Sequence, residues 1–324
     1  MKRKSWRLIT ALSFGLGALA LASPVWGATF GKVVAIGGHA SDLALDEARG
    51  VLYIANFTAN RIDVMSLDSH RVQSSINVAA QPSSIALSPD GRRLVAAHFG
   101  NYETPPEVIP PASAKNALTV IDLETRGKQT FALSSPALGV AFGRGSRALV
   151  VTTTEFLLFD PVSGAVSRLG TIQDFVAKTL PAPPANFPPD IVAASVSASG
   201  DGMRIYGLTD TFEFGFDVAS GWLRILNYTS SPPQGPRAVS VNRDGSKYLA
   251  GWVLHGTNIW NPVTGVWNLA QFPDAEGTLA KGSHAIDDAR GLVYAQVTSQ
   301  NETGEAVPPV LQVLRADNLA VLDK

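Results

Sequence analysis

"SIALSPDGRRLV", residues 84 to 95, decides the fold. It reads as a short alternating strand ending at Leu87, a tight turn at Ser88-Pro89-Asp90-Gly91, and a second β-rich strand from Arg93. Asp-Gly between two such runs is a hairpin signal, because Gly supplies a positive φ and Asp bonds its own backbone. The pattern recurs in "DLALDEARGVLYIAN" (42 to 56), "GVAFGRGSRALVVTT" (139 to 153), "SVSASGDGMRIYGLT" (195 to 209), "AVSVNRDGSKYLAGW" (238 to 252) and "SHAIDDARGLVYAQV" (283 to 297). With Leu87 as reference, the matching positions are Leu45, Leu87, Phe142, Ala198, Val241 and Ile286, spaced by 42, 55, 56, 43 and 45 residues.

A second hairpin follows each of these: "IDVMSLDSHRV", "LTVIDLETRGK", "FLLFDPVSGAV", "EFGFDVASGWL", "TNIWNPVTGVW" and "LQVLRADNLAV". Each is an apolar strand, a turn rich in Asp, Asn, Ser or Gly, and a fourth strand. Four antiparallel strands per unit of about 40 to 45 residues describe a blade of a β-propeller, since radial repetition leaves each sheet only short, protected edges. The expected fold is therefore an all-β propeller with six visible blades over residues 28 to 324, a β-sandwich being the alternative. "TFGKVVAIGG" (29 to 38) and "ADNLAVLDK" (316 to 324) both read as fourth-strand segments. That redundancy leads to the expectation of a ring needing at least one further blade, seven or more in all, with the chain as part of a longer protein.

Leu52-Tyr53-Ile54-Ala55-Asn56 and "PSSIALSPDGRRLVAA" resemble the tyrosine-valine-threonine-asparagine (YVTN) family of β-propeller repeats. The resemblance spans nearly all of residues 30 to 324 and implies the propeller fold. It implies no particular function, because the repeated motif is structural and the fold hosts binders and enzymes alike. The Asp-Gly turn is replaced by Glu47-Ala48-Arg49-Gly50 in the first repeat and Gly143-Arg144-Gly145 in the third, and the signature Asn survives only at Asn56.

The first 27 residues read as a secretory signal peptide: Lys2, Arg3, Lys4 and Arg7 precede an apolar stretch from Leu8 to Ala22, with small residues near Gly27. That stretch is shorter than the roughly 18 residues a membrane span needs. The expectation is a bacterial protein, cleaved after Gly27 and exported to the periplasm, the cell surface or beyond, without membrane insertion after cleavage. The chain has no Cys, so neither disulfides nor a lipoprotein anchor are available to it. Without residues 1 to 27 it holds 22 basic against 27 acidic residues, net −5, which disfavours nucleic acid as a partner.

Strand order places the first-to-second and third-to-fourth turns on one face and the other connections on the opposite face. The longest connections, 98 to 116, 171 to 190 and 298 to 310, all fall on that second face. Long loops on a rigid scaffold are where binding residues concentrate. His39, His98, His255 and His284 lie on or near it, with Asn56 and Trp252 at second-strand ends and Tyr102 and Glu103 in the first long loop. The candidate site is thus a polar channel mouth built from His39, Asn56, His98, Tyr102, Glu103, Trp252, His255 and His284. Trp222 and Trp267 follow third-to-fourth turns and are expected on outer strands, where an apolar patch would mark a partner surface.

The sequence carries no zinc-protease helix signature, nucleophile elbow, phosphate-binding loop or calcium loop, and Asp287-Asp288 reads as a solvated turn. No catalytic residue, metal or cofactor is assigned. The expected function is a monomeric, non-enzymatic binding or scaffolding propeller that takes a protein or saccharide on its loop-rich face. The alternative is a propeller enzyme of lactonase or lyase type, with His98, His255 and His284 supplying acid and base.

Overall fold

The second, fourth and fifth repeats close their first hairpins by the same local chemistry. In the quoted stretch Gly91 sits at φ +66°, and Asp90 Oδ1 accepts from Arg92 N at 3.0 Å and from the Ser88 hydroxyl at 2.5 Å. Asp201 with Ser199 and Met203 repeats that geometry, as does Asp244 with Ser246. The corresponding glycines, Gly202 and Gly245, are also left-handed, a conformation that costs a side-chain-bearing residue strain.

The computed structural model describes residues 34–99, 116–179, 182–185, 187–228, 238–251, 253–257, 266–271, 284–297 and 310–323. Blade 1 is β1 (Ala40–Asp46), β2 (Val51–Asn56), β3 (Arg61–Ser66) and β4 (Arg71–Asn77). Blade 2 is β5 (Pro82–Leu87), β6 (Arg93–Phe99), β7 (Asn116–Asp122) and β8 (Lys128–Ala132). Blade 3 is β9 (Ala137–Phe142), β10 (Ala148–Thr152), β11 (Glu155–Phe159) and β12 (Val166–Thr171), followed by α1 (Ile172–Ala177). Blade 4 is β13 (Ala194–Ala198), β14 (Arg204–Thr209), β15 (Phe212–Asp217) and β16 (Trp222–Tyr228). Blade 5 is β17 (Val239–Val241), β18 (Lys247–Ala250), β19 (Val253–Thr257) and β20 (Val266–Gln271). Blade 6 is β21 (His284–Asp287), β22 (Leu292–Val297), β23 (Val310–Arg315) and β24 (Val321–Asp323).

Every sheet is four consecutive antiparallel strands in chain order, and the six sheets stand in a ring as a six-bladed β-propeller. The first strands of successive blades are neighbours, so they form the inner wall. The fourth strands of blades 1, 2, 5 and 6 are mostly exposed, as an outer rim requires, while β16 of blade 4 is partly buried. Among the described residues no sheet borrows a strand from the far end of the chain: Val321–Asp323 is the outer strand of blade 6, Val34–Ile36 carry no strand, and residues 29 to 33 lie outside the described residues. The signal segment lies outside the described residues.

Apolar side chains from facing blades bury one another in five clusters, one per junction from blades 1 and 2 through blades 5 and 6. Between blades 1 and 2, Ala44, Tyr53 and Ile62 meet Ile85, Leu94 and Ile121. Inner-strand serines add ties. Ser41 Oγ donates to Pro82 O at 2.6 Å, Ser83 Oγ to Ala137 O at 3.2 Å, and Ser84 Oγ to Asp42 Oδ2 at 2.8 Å. On the turn face, Arg49 donates to Gly91 O, Arg144 N to Gly202 O, and Asp201 N to Arg243 O.

The junction between blades 6 and 1 differs. Leu43 and Leu45 on β1 are 55% and 50% exposed, whereas Ile85, Val140 and Val239, at the positions matching Leu43, are buried, and Val196 and His284 there are half-buried. On the facing side of blade 6, Ala285 and Gln296 are exposed where Ala44, Ala86, Ala55 and Ala97 are buried. The described residues thus form five packed junctions and one loosely packed seam.

One strand lies where the sequence pattern did not put it. "TNIW" (257 to 260) reads as the third strand of blade 5, but that strand is β19, Val253–Thr257, because the connection after β18 is only Gly251 and Trp252. His255, expected in a loop, is consequently inside a strand. Trp260 lies outside the described residues. The 171 to 190 insertion holds α1, whose N-cap Thr171 accepts from Asp174 N while the Asp174 carboxylate accepts from Thr171 N, a capping box.

Candidate functional site

The second-strand ends on the loop-rich face carry polar residues in blades 1 to 4, and each has a local explanation. Asn56 is fully buried; its Nδ2 donates to Asp63 Oδ2 on β3 at 2.9 Å and contacts Ile36 O at 3.3 Å. Asp63 Oδ1 accepts in turn from Ser75 Oγ on β4 at 2.5 Å and from Arg61 Nε at 2.7 Å. Burial raises the Asp63 carboxyl, but the bonds from Asn56, Ser75 and Arg61 outweigh it and hold the group below its ordinary range.

Blade 2 repeats the same construction with different chemistry. His98 is fully buried, with Nδ1 3.0 Å from Ala80 O and Nε2 2.9 Å from Thr119 Oγ1. Thr119 Oγ1 lies 3.0 Å from Thr130 Oγ1. The register makes the two relays equivalent: Asn56 pairs with Arg61 and His98 with Ala117, while Asp63 faces Ser75 as Thr119 faces Thr130. Each relay ties strands two, three and four together below the loop-rich face. Burial pushes the His98 imidazole down to about 4, so it is neutral at physiological pH, donating from Nδ1 to the carbonyl and accepting from Thr119 at Nε2.

Blades 3 and 4 use threonine to close the turn between strands two and three. Thr152 Oγ1 donates to Glu155 O at 3.0 Å and accepts from Glu155 N at 3.0 Å. Thr209 Oγ1 does the same with Phe212 O and Phe212 N, both at 2.9 Å.

The remaining histidines sit elsewhere. His255 is buried on β19 at the junction of blades 4 and 5, stacked on Tyr248 with ring centroids 4.8 Å apart. His284 opens β21, its Nδ1 2.7 Å from Ser240 Oγ, which also lies 2.6 Å from His284 O. Burial lowers the His284 imidazole to about 4 as well. His39 is exposed just before β1, its backbone N donating to Thr58 Oγ1 at 3.1 Å. Tyr102, Glu103 and Trp252 lie outside the described residues.

The five described candidates, His39, Asn56, His98, His255 and His284, are therefore distributed over blades 1, 2, 5 and 6. Three of them, Asn56, His98 and His255, are inside sheets or between them; Asn56 and His98 are satisfied there by neighbouring strands and connections of their own blades. Among the described residues no group of three or more His, Asp and Glu is placed to hold a metal ion.

Among the polar residues that the sequence pattern did not single out are the buried Asp63, Glu213 and Gln312 and the half-buried Asp42. Asp42, on the inner wall, accepts from Ser84 Oγ and Ile85 N at 2.8 Å each; burial raises its carboxyl against those bonds. A single acid within an apolar run, as in Arg61–Ser66 or Phe212–Asp217, was the available signal. Trp222 and Trp267 are exposed on outer strands β16 and β20, and Arg224 lies 5.4 Å over the Trp222 ring.

No family model matches the chain, and no curated protein matches it. Among solved structures, the β-propeller domain of Cps50 (Swd1) from Myceliophteria thermophila is similar at a TM-score of 0.61 and 12% identity, over 88% of this chain and 86% of that one. Hydrazine synthase of Kuenenia stuttgartiensis is similar at 0.56 and 15% identity, over 88% and 81%. A functionally unknown protein from Desulfotomaculum acetoxidans DSM 771 gives 0.55 and 12%, over 89% and 90%. At these identities the likeness is one of fold, and it agrees with the ring of blades: the chain is a β-propeller.

Proposed function

We propose that this protein is an exported, non-enzymatic β-propeller that binds a protein or saccharide through its loop-rich face. The observation that carries this reading is the burial of its acid–base chemistry. His98 has both ring nitrogens within hydrogen-bond distance of blade 2 atoms, and His255 is enclosed between blades 4 and 5. A general acid or base must reach within about 3 Å of the reacting atom, and these imidazoles are turned to the sheets instead.

The loop-rich face has the opposite character. The long connections after β6, β12, β20 and β22 all leave strand ends on that face, and the one after β12 is secured by α1, whose Ile172 and Val176 are buried. Gln173 Nε2 donates to Pro189 O at 3.0 Å, and Phe187 packs edge-on against Tyr228 with centroids 5.3 Å apart. A loop anchored this way is pre-ordered, which lowers the entropy that binding must offset. The relays of Asn56 and His98 stiffen the strand ends beneath it.

The test replaces residues 101 to 114 with a short Gly-Ser linker and compares parent and variant on a glycan array and in affinity capture with mass-spectrometric identification. The reading predicts ligands retained by the parent and lost by the variant, with the fold unchanged by circular dichroism. Hydrolysis or elimination of lactone or uronate substrates, lost in His98→Gln and His255→Gln, would replace it with the enzymatic reading.

A further inference from the structure

Among the described residues the fourth strand of each blade has a neighbouring strand on one side only, so every sheet ends on the rim in a free edge. Such an edge accepts another strand unless its side chains forbid it, and charge is a common obstacle. Five of the six outer strands carry a charged residue: Arg71 on β4, Lys128 on β8, Arg168 on β12, Arg224 on β16 and Asp323 on β24. The sixth, β20, reads Val266-Trp267-Asn268-Leu269-Ala270-Gln271 and carries none.

The side chains of β20 also present apolar surface to solvent. Trp267 and Leu269 are 53% and 45% exposed. Trp267 is the cross-strand partner of Gly256 on β19, and Leu269 reaches over the same glycine, its Cδ1 3.1 Å from where a Cβ on Gly256 would stand. Both therefore occupy one face of the sheet, while Asn268 between them is exposed on the other. Trp222 on β16 is exposed too, but Arg224 lies 5.4 Å over its ring and gives that strand the charge that β20 lacks. The register shift beside Leu269 is no distinction, because β4, β12, β16 and β24 each have one against their third strands.

We propose that β20 pairs edge to edge and antiparallel with β20 of a second copy, joining two blades 5 into one continuous sheet across a two-fold axis. Pairing of a strand with itself brings its own residues opposite one another, and directly opposed like charges destabilise. Arg168 and Arg224, in the middle of their strands, would each meet their own copies; β20 has no such cost. An unrelated strand would not need an uncharged edge, since an opposite charge would serve it, so the composition favours a second copy. With the axis at Asn268, each Trp267 stands across from the partner's Leu269, an aromatic and aliphatic pair formed twice on one face. The contact uses one short strand per copy, below the roughly 1,200 Å² of stable interfaces, which makes the dimer weak. It lies on the rim, so it stands or falls separately from binding at the loop-rich face.

Sedimentation velocity of the full chain from about 5 to 500 μM, a range suited to a small interface, tests this. The parent is expected to shift from monomer toward dimer as concentration rises. Asn268→Lys and Asn268→Asp, each of which sets like charges opposite one another at the axis, are expected to stay monomeric with unchanged circular dichroism. An equimolar mixture of the two variants is expected to recover the dimer, because opposite charges then face each other. Trp267→Ser, which adds no charge, is expected to weaken association about tenfold or more. Hydrogen exchange in the parent at the high concentration is expected to slow in β20 and to be unchanged in β4. A parent that stays monomeric throughout overturns the proposal, as does a dimer that persists in all three variants. A mixture that fails to recover the dimer overturns it as well, since β20 would then meet something other than itself.

Discussion

His98 Nε2 lies 2.9 Å from Thr119 Oγ1, a side-chain bond inside blade 2. Because burial holds this imidazole, like that of His284, near 4 rather than 6.5, the native state refuses protons that the unfolded chain accepts. Stability is complete above about pH 6.5 and falls as pH drops toward 4, by as much as about 1.4 kcal/mol per pH unit for each histidine. His98→Asn is predicted to flatten part of this acid limb in pH-dependent thermal unfolding. It is also predicted to cost roughly 2 to 4 kcal/mol at pH 7, since Ala80 O and Thr119 Oγ1 lose their fitted partner.

The equivalent relay of blade 1 carries a charge, so its failure is of a different kind. Asp63→Ala removes the acceptor of three side chains and leaves Arg61 without its carboxylate partner. A loss of about 3 kcal/mol is predicted in denaturant unfolding at pH 7, shrinking as acid protonates the parent carboxylate. Asp63→Asn, which keeps the shape but not the charge, is predicted to recover part of it.

Ser84 joins three blades: its hydroxyl donates to Asp42 on β1 and accepts from Val140 N on β9. Ser84→Ala is predicted to cost about 1 to 3 kcal/mol and to raise the Asp42 carboxyl further, since one of the bonds opposing burial disappears. NMR titration of Asp42 in parent and variant checks the direction.

The seam between blades 6 and 1 is open to a chemical probe because the chain contains no Cys. Leu43→Cys is predicted to react with a maleimide at a rate near that of an exposed thiol, and Ile85→Cys, its counterpart on blade 2, at least about tenfold more slowly, protection of 1.4 kcal/mol or more. Equal protection of both would mean that the sixth junction packs like the other five.

Much of the ring was legible because its turns and strands are local. The six Asp-Gly or Gly-containing turns, with alternating residues on both sides, specify hairpins without reference to distant residues. Blade 5 defeated that reading at one point: the two-residue connection at Gly251 and Trp252 starts β19 early, while the later residues 257 to 260 look more like a strand. The roles of His98 and His255 were illegible for a different reason. Their partners, Thr119 and Glu213, are 21 and 42 residues away and are selected by register and by the packing of neighbouring blades. The seam was equally hidden, since Leu43 and Leu45 alternate just as Ile85 and Leu87 do; only their exposure distinguishes them.

On the proposed reading, recognition belongs to the loop-rich face while the buried His98 and His255 serve the scaffold. Ligand binding by the parent, by His98→Asn and by the chain with residues 101 to 114 replaced, measured below each protein's unfolding temperature, tests it most directly. His98→Asn is predicted to lower stability and leave affinity within about twofold, whereas the loop replacement is predicted to abolish binding with stability nearly unchanged. Binding that survives loop replacement and vanishes with His98 would contradict it.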